Sequence, residues 1–326
     1  VSLELSSHAL DQRRAWGLDL DVAIFTNLSH DHLDYHGTLD AYLDAKLRMF
    51  DGRNTDRRTR PWTAVVNLDD PVAPRVVAAA RQGGGRIAGY GAAADADVRI
   101  VAVEPRPDGL DLVFAHDGTE RAFVLPMLGR HNAWNAAAAF AAGRALGYSA
   151  GDVARGLASM TGVPGRLERV RAGQPYEVVV DYAHTPDALA RALASAREHA
   201  RGRVIVVFGC GGDRDRAKRP VMGRIAAGAA DRVWVTSDNP RSEDPGAIAD
   251  AILAGARAVT PSDHVRLELD RRAAIGAALG EARAGDVVLI AGKGHETTQT
   301  IGADVLPFDD RAVAREWIEA RRGGSA

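Results

Sequence analysis

Short apolar runs rich in β-branched residues alternate with helical stretches through the second half of the chain, and nearly every run breaks off into a polar cluster. The runs are Val178-Val179-Val180, Val204–Phe208, Val233-Trp234-Val235 and 287–290, with a further one at 265–269. Helical stretches lie between them at 186–200, 220–230, 245–259 and 271–284. Pro186, Pro220 and Pro245 fall where a helix would begin, where the missing N–H costs nothing. Continuous apolar strands alternating with helices predict a parallel sheet covered on both faces. The polar clusters are Asp181-Tyr182-Ala183-His184, the stretch 209–215, Thr236-Ser237-Asp238-Asn239-Pro240-Arg241 and Ala291-Gly292-Lys293-Gly294-His295-Glu296. Ligands of open α/β sheets bind beyond the carboxyl ends of the strands, so four such loops on one edge predict a site.

The first half also begins as α/β. Val22–Phe25 and 64–66 read as strands, the first running into Thr26-Asn27-Leu28-Ser29-His30-Asp31-His32. Val1-Ser2-Leu3-Glu4-Leu5 reads as a strand already in progress, with no initiator Met before it, which predicts a segment upstream of Val1. From 86 to 125 short strands and turn signals predict a small antiparallel sheet, followed by helices at 131–146 and 150–160. The boundary between halves is placed at Val163-Pro164, giving domains 1–163 and 164–326.

With 326 residues, 46% hydrophobic and 26% charged, the chain has room for about two globular domains. The balance of 41 basic against 43 acidic residues gives no global pull toward nucleic acid or a membrane, so an anion must be held by local geometry. One cysteine, Cys210, excludes an intrachain disulfide and fits a reducing, cytoplasmic setting. No apolar run approaches the ~20 residues of a membrane helix.

Candidate chemistry concentrates at the strand ends. Ser29-His30-Asp31-His32-Leu33-Asp34-Tyr35-His36 combines imidazole and carboxylate, which suits a divalent cation or, equally, a polar loop with Asp31 or Asp34 as helix cap. Glu4 is a second carboxylate, and Lys46 on a helical stretch reads as a solvated charge. Asn132 and Asn135, three apart, share a helix face and either cap it or present amides to a ligand. Arg166 at the junction is a surface-turn residue or an arginine for phosphate. The stretch 209–219 lacks a Walker A pattern, and its arginines either clamp a carboxylate or decorate a flexible loop. Asp238-Asn239-Pro240-Arg241 sets opposite charges in one turn, able to take a zwitterion with its amine on Asp238 and its carboxylate on Arg241. Gly292-Lys293-Gly294 is only superficially a phosphate loop, because the leading glycine and trailing Ser/Thr are missing.

The order of these motifs carries more than any one of them. Glu4-Leu5-Ser6-Ser7-His8, the 26–37 cluster, Ala45-Lys46, His131-Asn132 with Asn135, Gly165-Arg166-Leu167-Glu168, Asp181 to Pro186, 208–215, Asp238 to Arg241 and Gly292 to Glu296 occur in the order seen in the Mur ligases, which the chain resembles over nearly its whole length. The resemblance implies an α/β fold, the later part of a P-loop-type central ATPase domain followed by a Rossmann-like C-terminal domain. It implies ATP and Mg²⁺ as cofactors and a CO₂-derived carbamate on Lys46. Glu4, His32 and Lys46 match the metal set, and Ser6, Gln12 and Arg14 match contacts to the UDP-muramoyl substrate. Asn132, Asn135, Arg166 and Asp181 match the ATP set, while Lys46, Arg166 and His184 are the implied catalytic residues. Arg214, Asp238, Asn239, Pro240, Arg241, Gly292 and Glu296 match the amino-acid pocket. The Asp-Asn-Pro-Arg form resembles members that join meso-2,6-diaminopimelate to UDP-N-acetylmuramoyl-L-alanyl-D-glutamate in peptidoglycan synthesis, through an acyl phosphate. His131 departs from the family, which often has an aromatic there. The family's Gly-Lys-Thr loop finds no counterpart in the chain, so these 326 residues alone are expected to bind the amino acid without turning over ATP. No oligomer is expected. The rival readings are a folylpolyglutamate synthetase-like ligase and a binding fragment without catalysis.

Overall fold

The structure is a computed structural model that describes residues 1–28, 33–54, 60–259 and 262–323. It divides into two compact units: 1–126 with 130–161, and 127–129 with 162–326.

The first unit runs α1 (Ser7–Asp11), β1 (Val22–Phe25), α2 (Leu33–His36), α3 (Leu39–Leu47), β2 (Thr63–Asn67), α4 (Ala73–Gln82), β3 (Arg86–Gly91), β4 (Val98–Arg106), β5 (Gly109–His116), β6 (Thr119–Leu125), α5 (His131–Ala145) and α6 (Ala150–Ala158). Among the described residues its strands form one sheet in the order β1-β2-β3-β4-β5-β6. The small antiparallel sheet expected over 86–125 is found in part and corrected in part. β3 pairs in parallel with β2 and β4, and only β4-β5-β6 is an antiparallel meander on the same sheet. The reversals at Pro107-Asp108-Gly109 and Asp117-Gly118 were legible as turns, but they do not report that β3 extends the parallel edge. The opening strand is also corrected: residues 1–6 are not strand, and Val1 and Leu3 are exposed. β-branched and leucine residues favour extension, but a strand requires a ladder partner, and none among the described residues pairs with this segment. Ala23, Phe25, Ala64 and Val66 point to one face and pack with Val76, Ala80, Phe50 and Trp62.

The second unit runs β7 (Glu168–Arg169), β8 (Glu177–Asp181), α7 (Pro186–His199), β9 (Val204–Phe208), α8 (Lys218–Ala229), β10 (Arg232–Val235), α9 (Pro245–Arg257), β11 (Val265–Leu267), α10 (Arg271–Glu281), β12 (Val287–Ala291), β13 (Thr298–Ile301), β14 (Asp304–Pro307) and α11 (Asp310–Gly323). Its sheet has the order β11-β10-β9-β12-β8-β7, parallel except for the short β7. The period-2 alternation of a strand buries both faces here. Val204, Val206 and Phe208 pack with α7, α8 and α9, while Ile205 and Val207 pack with α10 and α11. Thr185, Asp244 and Asp270 cap α7, α9 and α10 through their side-chain oxygens. Pro186 and Pro245 occupy the first helical position, and Pro220 is the third residue of α8, where an N–H is still without an intrahelical partner. The β13-β14 hairpin and α11 lie beyond the last element read from the sequence. No helix among the described residues is long and apolar enough to cross a membrane.

Candidate active site

In the second unit the carboxyl ends of β8, β9, β10 and β12 converge, as the strand-end clusters imply. The turn after β10 is the centre. Asn239 accepts at Oδ1 from Thr300 N–H (2.9 Å) and from the Lys293 ammonium (3.2 Å), and donates from Nδ2 to Glu296 Oε2 (2.9 Å). Gln299 Nε2 donates to the Asp238 carbonyl at 2.8 Å. Arg241 sits at φ 51°, a sparsely populated region for a non-glycine residue, and is held there from both sides. Its N–H donates to the Thr300 carbonyl, and its own carbonyl accepts from Gly302 N–H. Its guanidinium donates to the Gly212 carbonyl at 2.8 Å. Arg241 Nη1 and Arg214 Cγ lie 3.0 Å and 3.7 Å from where a side chain at Gly211 would begin, so the two arginines flank that bare backbone. Gly292, at φ 115°, lies so close to Asp238 that an added Cβ would stand 2.5 Å from its Oδ2.

The turn therefore brings together Arg214, Asp238, Asn239, Pro240, Arg241, Gly292 and Glu296. Burial pushes the Asp238 carboxyl up, and the nearby Arg271 and Lys293 charges oppose that. Burial acts the same way on Glu296, but hydrogen bonds from Asn239 and Lys293 outweigh it and hold the carboxyl low. Two carboxylates and two arginines thus stand in one loop cluster, a charge pattern able to pair with both charges of a zwitterion.

The loop after β9 is not loose. Arg219, buried at the start of α8, grips Glu243 with two hydrogen bonds (3.1 and 2.8 Å). Asp213 N–H donates to Glu243, and Asp213 accepts from Ser242. The clamp foreseen for a ligand's carboxylate is thus partly spent on an internal one. Arg219, with Arg216 adding charge, lowers the Glu243 carboxyl from the ordinary 4.5 to about 2. A folded-state value below the unfolded one means the brace contributes fully above pH 4.5 and is lost as pH falls toward 2. Carbon-detected titration should place Glu243 at about 2, and Arg219→Met should move its midpoint upward. An unmoved midpoint would show that Arg219 does not set it.

A second cluster adjoins the first. Asp181 accepts from Leu167 N–H and Ala183 N–H, both at 2.8 Å, and so pins the turn that carries Arg166. Burial raises its carboxyl against those two donors. Arg166 is exposed and lies over the Tyr182 ring at 4.9 Å, a ring that also meets His184 and His295. His184 Nδ1 is 2.9 Å from the Tyr182 carbonyl. Gly165, at φ 68°, passes the 294–295 backbone so closely that a Cβ would fall 2.1 Å from His295 N.

In the first unit the sequence-derived residues are less concentrated. Ser6 is the N-cap of α1, accepting from Ala9 N–H. Gln12 donates to the Tyr35 hydroxyl at 3.3 Å, and Arg14 is exposed. Asn132 is buried and its Oδ1 accepts from Asn135 Nδ2 at 2.8 Å, so the shared helix face is real and the amides meet each other. Glu4 is exposed, and the Lys46 ammonium stands 5.0 Å over the Tyr42 ring. His32 and the cluster 29–32 lie outside the described residues. Among the described residues no group of three or more His, Cys, Asp or Glu could hold a metal ion, and a lysine ammonium has no lone pair to offer one. A carbamate on Lys46 would replace that ammonium with an anionic oxygen donor of the kind magnesium takes.

Two features escaped the sequence. Arg271 and Asp310, both fully buried, form a two-bond ion pair (2.8 and 2.7 Å), and Arg271 also donates to the Ser237 and Ala291 carbonyls. Lys293 is fully buried rather than presented to a ligand. The capping pattern at Asp270 was a signal for α10, but no local signal pairs positions 39 apart.

A parallel sheet with a charged loop cluster at its carboxyl edge defines an open α/β domain with a candidate ligand site there, and sequence comparison assigns its family. The chain belongs to the Mur ligase family, matching the Mur ligase middle domain over residues 1–143 and the glutamate ligase domain over 165–294. It is 47% identical to the UDP-N-acetylmuramoyl-L-alanyl-D-glutamate--2,6-diaminopimelate ligase of Geobacillus thermodenitrificans, over 99% of this chain and 65% of that protein. It is 48% identical to the same-named protein of Solibacter usitatus, over 98% and 63%. A solved structure of a ligase with that name is 38% identical, with a TM-score of 0.65 over 98% of this chain and 64% of the other. The chain thus spans 63–65% of the length of these two relatives. A folylpolyglutamate synthase from Mycobacterium tuberculosis has a TM-score of 0.68 at 24% identity, a likeness of fold alone.

Proposed function

We propose that the chain forms part of an ATP-dependent ligase that joins meso-2,6-diaminopimelate to UDP-N-acetylmuramoyl-L-alanyl-D-glutamate in cytoplasmic peptidoglycan synthesis. The observation that carries this reading is the Asp238-Asn239-Pro240-Arg241 turn with Glu296 and Arg214. Its two carboxylates suit the ammonium, and its two arginines the carboxylate, of one end of a diamino diacid. Lysine lacks that distal carboxylate.

In the reaction the acceptor's glutamyl carboxylate attacks the γ-phosphorus of ATP, the bond to the β-phosphate breaks, and ADP leaves with the electron pair. The amine held at its far end by this turn attacks the resulting acyl phosphate as the free base. The tetrahedral intermediate expels inorganic phosphate, and the new ammonium loses a proton. Phosphoryl transfer asks for positioning and charge neutralisation. Arg166, pinned by Asp181 and backed by Tyr182, would act on anionic oxygens. His184 orients groups around the same tyrosine, and the exposed Asn135, braced by its bond to the buried Asn132, is the amide that meets the nucleotide. Ser6, Gln12 and Arg14 face the UDP-muramoyl substrate, and Pro240 shapes the amino-acid turn. Glu4, His32 and a carbamate on Lys46 would hold the family's Mg²⁺, which would supply charge neutralisation there. The family reading of 1–163 and 164–326 as the two domains belongs to the same proposal.

Calorimetric titration of the chain with meso-diaminopimelate, lysine and glutamate tests the reading. Diaminopimelate should bind at least about tenfold tighter than either, a gap of ~1.4 kcal/mol. A preference for glutamate would favour the folylpolyglutamate-type alternative and sink this one.

A further inference from the structure

Lys293 follows Gly292 in a sequence that looks like a phosphate loop, yet its ammonium is fully buried and donates to Asn239 Oδ1 (3.2 Å), Glu296 Oε2 (3.0 Å) and the Thr298 carbonyl (2.6 Å). An ammonium has three N–H donors and no acceptor, so its hydrogen-bonding capacity is used within the protein. A buried cation persists only when matched in this way.

The bonds around it fix the neighbouring side chains atom by atom. Asn239 Oδ1 accepts from both Lys293 and Thr300 N–H, which turns Nδ2 toward Glu296. Glu296 Oε2 then accepts from Asn239 and Lys293, while Oε1 takes no part in this network among the described residues. The Glu296 side chain remains 31% exposed, so it still meets a ligand although one of its oxygens is anchored.

We propose that Lys293 is a positioning residue for the ammonium at the held end of the amino acid, setting the Asn239 amide and the Glu296 carboxylate to receive it, and that it binds no phosphate. The proposal rests on the reading of the pocket given above. It predicts a defect in discrimination rather than in binding at large. Pimelate keeps both carboxylates and lacks both ammoniums, so it can occupy the pocket without calling on Glu296.

Calorimetry of the chain with meso-diaminopimelate and with pimelate, for wild type and Lys293→Met, separates the possibilities. Wild type should favour diaminopimelate by about tenfold or more, and Lys293→Met should shrink the ratio to within about threefold while leaving pimelate affinity unchanged. A variant that weakens both ligands by the same factor, or keeps the wild-type ratio, overturns the positioning role. Failure of the wild type to bind diaminopimelate at all overturns the pocket reading instead, and this proposal with it. If Lys293→Met does not fold, Lys293→Gln keeps two N–H donors without the charge, and the same ratio decides.

Discussion

Asp310→Ala is expected to destabilise the second unit by about 3–5 kcal/mol, because it leaves the Arg271 guanidinium charged and buried without its partner. Both side chains are fully inaccessible, so water cannot take over the lost bonds. The damage should also reach the site, because Arg271 holds the Ser237 and Ala291 carbonyls, the residues immediately before Asp238 and Gly292. Urea unfolding followed through Trp234 and Trp317, with the three tryptophans of the first unit replaced by phenylalanine, should show the midpoint falling by more than about 1 M. Replacing both partners, as Arg271→Met with Asp310→Leu, should recover much of the loss, since no orphaned charge remains. A single-variant midpoint equal to wild type would mean that the pair is dispensable.

Gly212→Ala is expected to weaken diaminopimelate binding by about 10- to 100-fold, with a far smaller change in the urea midpoint. A Cβ there would lie 1.9 Å from the Pro240 carbonyl oxygen, a backbone atom that cannot swing aside like a side chain. The only relief is to move the 240–241 backbone, and with it the Arg241 guanidinium that rests on the Gly212 carbonyl. Gly156→Ala, on α6, has nothing within 4 Å of the added atom and serves as the control. Equal affinity in the Gly212 variant would show that the Asp238–Arg241 turn tolerates displacement, and the receptor geometry described above would lose its basis.

Much of the second unit was legible because each strand is a continuous apolar run and each run ends in residues that do not belong in a core. That rule located Asp181, Asp238, Arg241 and Glu296 without any knowledge of pairing. Pairing is where reading from sequence stopped. Strand β3 reads the same whether its neighbours run parallel or antiparallel, which is why it is grouped from sequence with the antiparallel strands that follow it. Lys293 shows a second limit. A lysine between glycines has the same local signature whether it faces a phosphate or lies buried against Asn239, 54 residues away. The 209–219 loop shows a third, for nothing local says that Arg219 spends its charge on Glu243, 24 residues on. In each case the deciding interaction is non-local.

The strand order has a consequence for how the second unit comes into being. β12 lies between β9 and β8, yet it is the last of the six strands of that sheet to be synthesised. Until residues 287–291 leave the ribosome, β8 and β9 each present an unpaired, apolar edge. Such edges invite association with other chains. Late insertion of a central parallel strand also demands long loop closures, which slows folding. A nascent chain that stops before Val287 would hold two incomplete half-sheets, so protection from aggregation arrives with these five residues, and Gly292 and Glu296 of the proposed pocket follow directly behind them.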